Sequence, residues 1–140
     1  MGRYFFISIL SGALFAIMDG LIHANPLARR LFAAYGPLAK TSVNVFAGIA
    51  IDIFCGFAMA GVFILLYKAL PGGVAVAKGV SFGLSVWFFR VVMGVAGEWM
   101  TLNVPKEALA YRLVTGLVEM LALGVLYGLT LPAFRLSDMG

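Results

Sequence analysis

Four ionisable residues stand inside long apolar stretches of this sequence, and they are the residues best suited to chemistry. They are Asp19, Asp52, Arg90 and Glu119. A charge at the centre of a bilayer costs roughly 2.5–3.5 kcal/mol on insertion scales, so such side chains are expected to face one another or water. Three acids against one Arg leave negative charge that an apolar interior does not tolerate. The pattern predicts a polar pocket whose acids hold protons, or one that binds a cation.

Depth and facing both favour one shared pocket for these four residues. At 1.5 Å per residue they fall within one band, roughly 5–15 Å below the same membrane surface. Asp52 lies four residues before Gly56, and Arg90 lies four residues before Gly94. Charges are therefore expected on the small-residue stripes that pack helix against helix. For any single pair, a purely structural ion pair with Arg90 is the simpler interpretation.

Two further residues are expected at the mouth of this pocket. His23 lies one helical turn beyond Asp19, and Glu98 lies one turn beyond Gly94. His23 is the only histidine of the chain, whereas di-metal carboxylate bundles use two Glu-x-x-His motifs. No nucleophile–base spacing or phosphate-binding loop is present. The sequence therefore predicts neither a metal nor another cofactor, and it favours a role other than catalysis.

The composition indicates which elements must position these residues. Of the 140 residues, 63% are hydrophobic and only 11% are charged, against about 25% charged in soluble domains. The net charge is +4, but the basic residues are scattered around predicted helix ends, where they suit lipid phosphates. A nucleic-acid partner is not expected. The single cysteine, Cys55, lies in an apolar run and excludes a disulfide within the chain.

Four continuous apolar stretches are long enough to cross a bilayer as helices, which takes about 20 residues each. They span approximately residues 4–22, 42–68, 77–100 and 108–134. The first stretch resembles a secretory signal in composition, but Asp19 is unusual just before a cleavage site, so a retained helix is expected. The predicted fold is all-α, a single transmembrane four-helix domain over residues 1–140.

A short amphipathic helix is predicted between the first two spans, over approximately residues 26–35. Asn25 and Pro26 form a start signal, and Gly36 followed by Pro37 forms a stop signal. Apolar residues recur every four positions opposite two arginines, which indicates a helix lying at the interface. Those arginines, expected to contact lipid headgroups, are Arg29 and Arg30.

Glycine spacings raise the idea of a parallel duplication of a two-helix hairpin. Gly12 precedes Asp19 by the same interval as Gly83 precedes Arg90. In the second and fourth spans small residues also recur at equal spacings, which two related hairpins would explain. Chance is the stronger alternative, because glycine is abundant in this chain. The small residues concerned are Gly48, Gly56 and Ala60 in the second span and Gly116, Gly124 and Gly128 in the fourth.

These observations support three hypotheses of function. The first is a proton- or cation-linked transport or permeation module that acts as a homo-oligomer, since four glycine-rich helices enclose little volume alone. The second is a non-catalytic subunit or scaffold of a larger membrane complex. The third and weakest is a lipid-modifying enzyme that uses the interfacial helix. Short loops and small size favour the cell membrane of a prokaryote.

Overall fold

The computed structural model describes residues 2–38, 42 and 44–131, and over this part of the chain every regular element is a helix. A 3₁₀ segment, Phe32–Leu38, follows the short second helix, and a π-helical segment, Trp87–Val92, joins the fourth helix to the fifth. The α-helices are α1 (Gly2–Ala24), α2 (Pro26–Leu31), α3 (Val45–Leu66), α4 (Ala75–Val86), α5 (Met93–Thr101) and α6 (Lys106–Thr130).

Four helical spans are long and apolar enough to cross a membrane: α1, α3, the continuous run from α4 to α5, and α6. The chain is therefore a small integral membrane protein, and the predicted four-helix fold is confirmed. The observed ends differ from the predicted ones by a few residues. The second span begins later than predicted because Asn44 caps it, its side chain accepting a 3.1 Å hydrogen bond from the backbone N–H of Ala47. Residues 132–134 of the predicted fourth span lie outside the described residues.

The predicted interfacial helix is present, and its start is confirmed. The Asn25 side-chain oxygen accepts a hydrogen bond from the backbone N–H of Ala28 at 2.9 Å. The predicted stop before Gly36 is wrong, because the helical path continues through Pro37 to Leu38 as a 3₁₀ segment. With seven residues, this 3₁₀ segment is longer than the roughly three or four that are usual for such helices.

Glycine-mediated backbone contacts pack the spans in two antiparallel pairs, α1 with α3 and α4 with α6. A Cβ atom added to Gly56 would lie 2.6 Å from the backbone nitrogen of Gly12. A Cβ atom added to Gly83 would lie 2.5 Å from the carbonyl oxygen of Met120. Small residues allow this approach, which supplies the packing contacts that hold helices together in lipid.

Three buried rings fill the end of the bundle near the turn that joins α3 to α4. The ring centroids of Phe63 and Phe82 are 5.3 Å apart, and those of Phe63 and Tyr127 are 5.7 Å apart. We call Phe63, Phe82 and Tyr127 the aromatic cluster. Gly72, with φ of 132°, provides the left-handed backbone of the nearby turn. This end of the bundle is closed by packing.

Candidate functional site

A polar cavity of about 150 Å³ lies at the opposite end of the bundle, toward the two longer connections. Residues of α1, the 3₁₀ segment, the π-helical segment and α6 line it. Its walls bring together three of the four predicted pocket residues, one predicted mouth residue and one arginine that was not predicted. These ionisable lining residues are Asp19, His23, Arg90, Arg112 and Glu119.

Glu119 is the most enclosed ionisable residue of the cavity. It is only 8% exposed, and its Oε1 atom is buried without a hydrogen-bond partner among the described residues. Gly116, one turn earlier on α6, lets the side chain of Val91 approach, since a Cβ at Gly116 would meet Val91 at 2.9 Å. A buried carboxylate without a partner is unfavourable, so this position calls for a proton, water or a cation.

The π-helical segment places Arg90 beside the cavity. The indole nitrogen of Trp87 donates a 2.9 Å hydrogen bond to the Leu113 carbonyl of α6, which fixes this wider turn against its neighbour. The Arg90 guanidinium carbon lies 4.8 Å from the ring centroid of Phe15 on α1, a cation–π contact. The predicted packing role of Gly94 is wrong. Gly94 is exposed, and no atom of the described residues lies within 4 Å of an added Cβ, because the π turn breaks the four-residue stripe.

Asp19 and His23 form an ion pair at the open side of the cavity. The His23 Nδ1 atom lies 3.1 Å from Oδ1 of Asp19 and 2.9 Å from its carbonyl oxygen. Each side chain is 54% exposed. The imidazole stacks on the ring of Phe32, with centroids 5.3 Å apart, so the 3₁₀ segment adjoins this pair. A titratable pair thus stands between bulk water and the interior.

Glu98 belongs to a network that also holds Arg112. The Tyr35 hydroxyl donates a 2.8 Å hydrogen bond to a Glu98 carboxylate oxygen, and Arg112 forms an ion pair with the same oxygen. Burial raises the pKa of the Tyr35 phenol, and the hydrogen bond to the Glu98 carboxylate raises it further. This network fastens the 3₁₀ segment to α5 and α6.

Sequence reasoning missed the role of Arg112, although a signal was present. Arg112, Thr115 and Glu119 recur at intervals of three and four residues, which places them on one face of α6. All three line the cavity. The residue was grouped with the charges at helix ends because it is close to the start of its span.

Asp52 stands apart from the other predicted pocket residues. It does not line the cavity and, in the part of the chain that the structure describes, makes no hydrogen bond or ion pair. It is partly exposed, and Coulombic interactions connect it with Asp19 and Arg90. The structure therefore places Asp52 beside the charged group rather than in the cavity wall.

Hydrogen bonds near the cavity connect the start of α6 to the end of α1 and to Asn25, which caps α2. The Tyr111 hydroxyl donates to the Ile22 carbonyl at 2.7 Å, and the Asn25 side-chain nitrogen donates to that hydroxyl at 2.7 Å. The arginines Arg29 and Arg30 are exposed on α2. Their contact with lipid headgroups stays a prediction.

Within residues 2–38, 42 and 44–131, no group of three or more His, Cys, Asp or Glu side chains is arranged to hold a metal ion. Comparison of the chain with protein-family models, with curated proteins and with solved structures gives no match.

Proposed function

We propose that this protein is a proton-linked transport or permeation module in which Glu119 takes up and releases the proton. One observation carries the proposal: a carboxyl oxygen without a hydrogen-bond partner among the described residues is buried in the wall of a polar cavity inside a membrane bundle. Ionisable residues that face the interior of a membrane protein commonly mark ion pathways and proton relays.

Charge balance supports a single exchangeable positive charge. Arg112 is neutralised by Glu98, and Asp19 is neutralised when His23 is protonated. The charge of Arg90 is then left to balance two carboxylates, those of Glu119 and Asp52. Coulombic interactions connect Glu119 with both Arg90 and Asp52. One negative charge remains in excess. A proton on Glu119 removes that excess, and its loss restores it.

A proton fits this cavity better than a metal ion does. The guanidinium groups of Arg90 and Arg112 lie in the cavity wall, and the charge of Arg90, which no ion pair among the described residues neutralises, would repel a metal cation. A proton that binds Glu119 becomes part of a neutral carboxylic acid, which an apolar setting favours. Asp19 and His23 at the open side provide titratable groups through which a proton can pass between water and Glu119.

Further parts of this proposal concern the setting of the module. We expect it to work as a homo-oligomer in the cell membrane of a prokaryote, with lipids as neighbours. Size-exclusion chromatography with light scattering in mild detergent tests the oligomer. A chain that co-purifies only with another membrane protein would favour the alternative role as a subunit or scaffold.

Current measurements on a solid-supported membrane test the proposal without knowledge of the substrate. Proteoliposomes receive a pH jump, and proton binding inside the membrane produces a transient charge displacement. We expect a current for the wild type that is lost in Glu119→Gln. The matched control is Glu107→Gln, which alters an exposed glutamate in the first turn of the same helix and should keep the current. Equal currents in wild type, Glu119→Gln and empty liposomes would reject the proposal. A scaffold or a lipid-modifying enzyme does not require such a current.

A further inference from the structure

The two glycine-packed helix pairs make the same contacts at corresponding positions. A Cβ added to Gly12 would meet the Ile53 Cα atom at 2.6 Å and the Asp52 carbonyl oxygen at 3.1 Å. A Cβ added to Gly83 would meet the Leu121 Cα atom at 3.3 Å and the Met120 carbonyl oxygen at 2.5 Å. Adding one constant to the residue numbers of α1 carries Gly12 onto Gly83. Adding a second constant to the residue numbers of α3 carries Asp52 onto Met120 and Ile53 onto Leu121. We call these additions the two shifts.

The partner glycines repeat this correspondence under the same two shifts. A Cβ added to Gly56 would meet the Ser8 carbonyl oxygen and the Gly12 nitrogen, both at 2.6 Å. A Cβ added to Gly124, the position equivalent to Gly56, would meet the Gly79 carbonyl oxygen and the Gly83 nitrogen. Equal glycine spacing alone would not require the same backbone atoms to meet, so coincidence of spacing is a poor explanation.

The cavity lies between these two units and draws charges from equivalent positions. The shift that carries Gly12 onto Gly83 also carries Asp19 onto Arg90. Both residues line the cavity, one from α1 and the other from the π-helical segment. Equivalent positions therefore carry opposite charges across one cavity.

Contacts within a unit differ in kind from contacts between units. Glycines bring backbone atoms of the two helices together within each pair, whereas aromatic rings and side-chain hydrogen bonds connect one pair to the other. At the turn end, the aromatic cluster joins α3 to α4 and α6. At the cavity end, the Tyr111 hydroxyl bonds the Ile22 carbonyl. Close-packed backbones are stiff, while side-chain contacts can exchange.

We propose that the chain consists of two copies of one hairpin, related by a pseudo-two-fold axis along the membrane normal, which rock about the aromatic cluster and thereby open and close the cavity. Parallel repeats with a site at their interface are an established arrangement in transporters. Hairpin A is α1 with α3, and hairpin B is α4 to α5 with α6. The movement rests on the proposed function, because protonation of Glu119 is what changes the charge between the hairpins. The charged or titratable groups that face Glu119 or adjoin it are Asp19, His23, Asp52, Arg90, Glu98 and Arg112.

Distance measurements between spin labels by double electron–electron resonance test this proposal in the full chain. Three pairs of cysteines are introduced at exposed positions in a Cys55→Ala background. The pair across the hairpins at the cavity end is Leu21→Cys with Val114→Cys. The pair within hairpin A at the same end is Leu21→Cys with Phe46→Cys. The pair across the hairpins at the turn end is Leu65→Cys with Leu129→Cys.

We expect the Leu21–Val114 distance distribution to shift between acidic and alkaline pH, and to stay in its acidic form at both pH values in Glu119→Gln. The other two pairs should keep one distribution throughout. A Leu21–Val114 distance that is the same under all conditions would overturn the inference. So would an equal shift within hairpin A. Fixed distances together with a normal pH-jump current would overturn the rocking movement but leave the proposed function intact. Distances that shift while no current is measured would support the rocking movement but overturn the proposed function.

Discussion

The two ends of the bundle differ in what fills the space between the helices. At the turn end, Phe63 and Tyr127 are completely buried and pack ring against ring. At the cavity end, Asp19 and Glu119 line a polar space, although Glu119 lies on the same helix as Tyr127. Packing stabilises the first end. The second end keeps charged groups where lipid makes them costly, and such a cost is commonly maintained for function.

The largest expected effect on the packed part of the bundle comes from replacing a glycine at a backbone contact by a larger residue. We expect Gly56→Leu to prevent stable folding, because its Cβ alone would lie 2.6 Å from the Gly12 nitrogen and backbone atoms cannot move aside. Gly48→Leu is the matched control on the same helix, since no atom of the described residues lies within 4 Å of its added Cβ. Monodispersity and thermal unfolding in detergent provide the comparison. Equal melting temperatures for both variants would show that the α1–α3 contact is not close.

Truncation within the aromatic cluster is the next largest expected effect. Phe63→Ala should destabilise the bundle by about 2–3 kcal/mol, because the lost ring leaves a cavity, while lipid supplies none of the hydrophobic transfer term that operates in water. Phe54→Ala, on the same helix, is expected to have little effect because this ring is 73% exposed, whereas Phe63 is 0% exposed. Equilibrium unfolding in mixed micelles measures both. A larger loss for Phe54→Ala would contradict the assigned core.

At the cavity end, we expect a substitution of Glu119 to raise the free energy of unfolding rather than lower it. Glu119→Leu should stabilise the protein at neutral pH by about 1–3 kcal/mol, because it removes a buried polar group without a partner among the described residues. Glu107→Leu on the exposed surface serves as control. Denaturant unfolding at one protein-to-detergent ratio is the measurement. A clear loss of stability in Glu119→Leu would indicate that this carboxyl has a structural partner.

The smallest expected effect concerns the network that fastens the 3₁₀ segment. Tyr35→Phe should cost about 0.5–1.5 kcal/mol, the typical value of one hydrogen bond, and hydrogen exchange in residues 26–38 should become faster. A double-mutant cycle with Glu98→Gln isolates the Tyr35–Glu98 bond. Strict additivity of the two substitutions would contradict this bond.

The same bond predicts a direction for the dependence on pH. The pKa of Tyr35 is raised in the folded protein, chiefly by burial. The contribution of the protonated phenol is therefore complete below the unfolded pKa of about 10, and it is lost as pH rises through the higher folded pKa. Protection of residues 26–38 should stay constant from neutral to mildly alkaline pH. Loss of protection near neutral pH in the wild type but not in Tyr35→Phe would contradict the assignment.

Most of the fold was predictable from sequence because lipid imposes simple rules. A spanning helix must satisfy its own backbone hydrogen bonds over about 20 apolar residues, so four apolar runs predicted four spans. Asn25 carried a local cap signal that needs no tertiary information. The pairing of α1 with α3 and of α4 with α6 agrees with the idea of a duplicated two-helix hairpin. Sequence could only raise that idea, because glycine stripes indicate that a helix packs closely but not against which partner.

The cavity was predicted only in part, for identifiable reasons. Asp19, Arg90 and Glu119 were recognisable because a charge in an apolar run is conspicuous. Asp52 has the same signal but lies outside the cavity lining, since depth and spacing do not fix the rotation of a helix. The π turn from Trp87 to Val92 begins at the residue that bonds the Leu113 carbonyl, a contact between distant residues that helical periodicity does not reveal. Arg112 lay too close to a helix end to stand out.

The central claim is that Glu119 exchanges a proton inside the cavity, and infrared difference spectroscopy tests it most directly. Membranes containing the protein are stepped between neutral and alkaline pH, a range in which exposed carboxyl groups stay ionised. The carbonyl stretch of a carboxylic acid that holds its proton at neutral pH is followed. We predict a band that is present in the wild type and in Glu107→Gln but absent in Glu119→Gln. The band should narrow or shift without disappearing in Asp52→Asn, since Asp52 lies beside the cavity. An unchanged carboxylic acid band in Glu119→Gln would contradict the account.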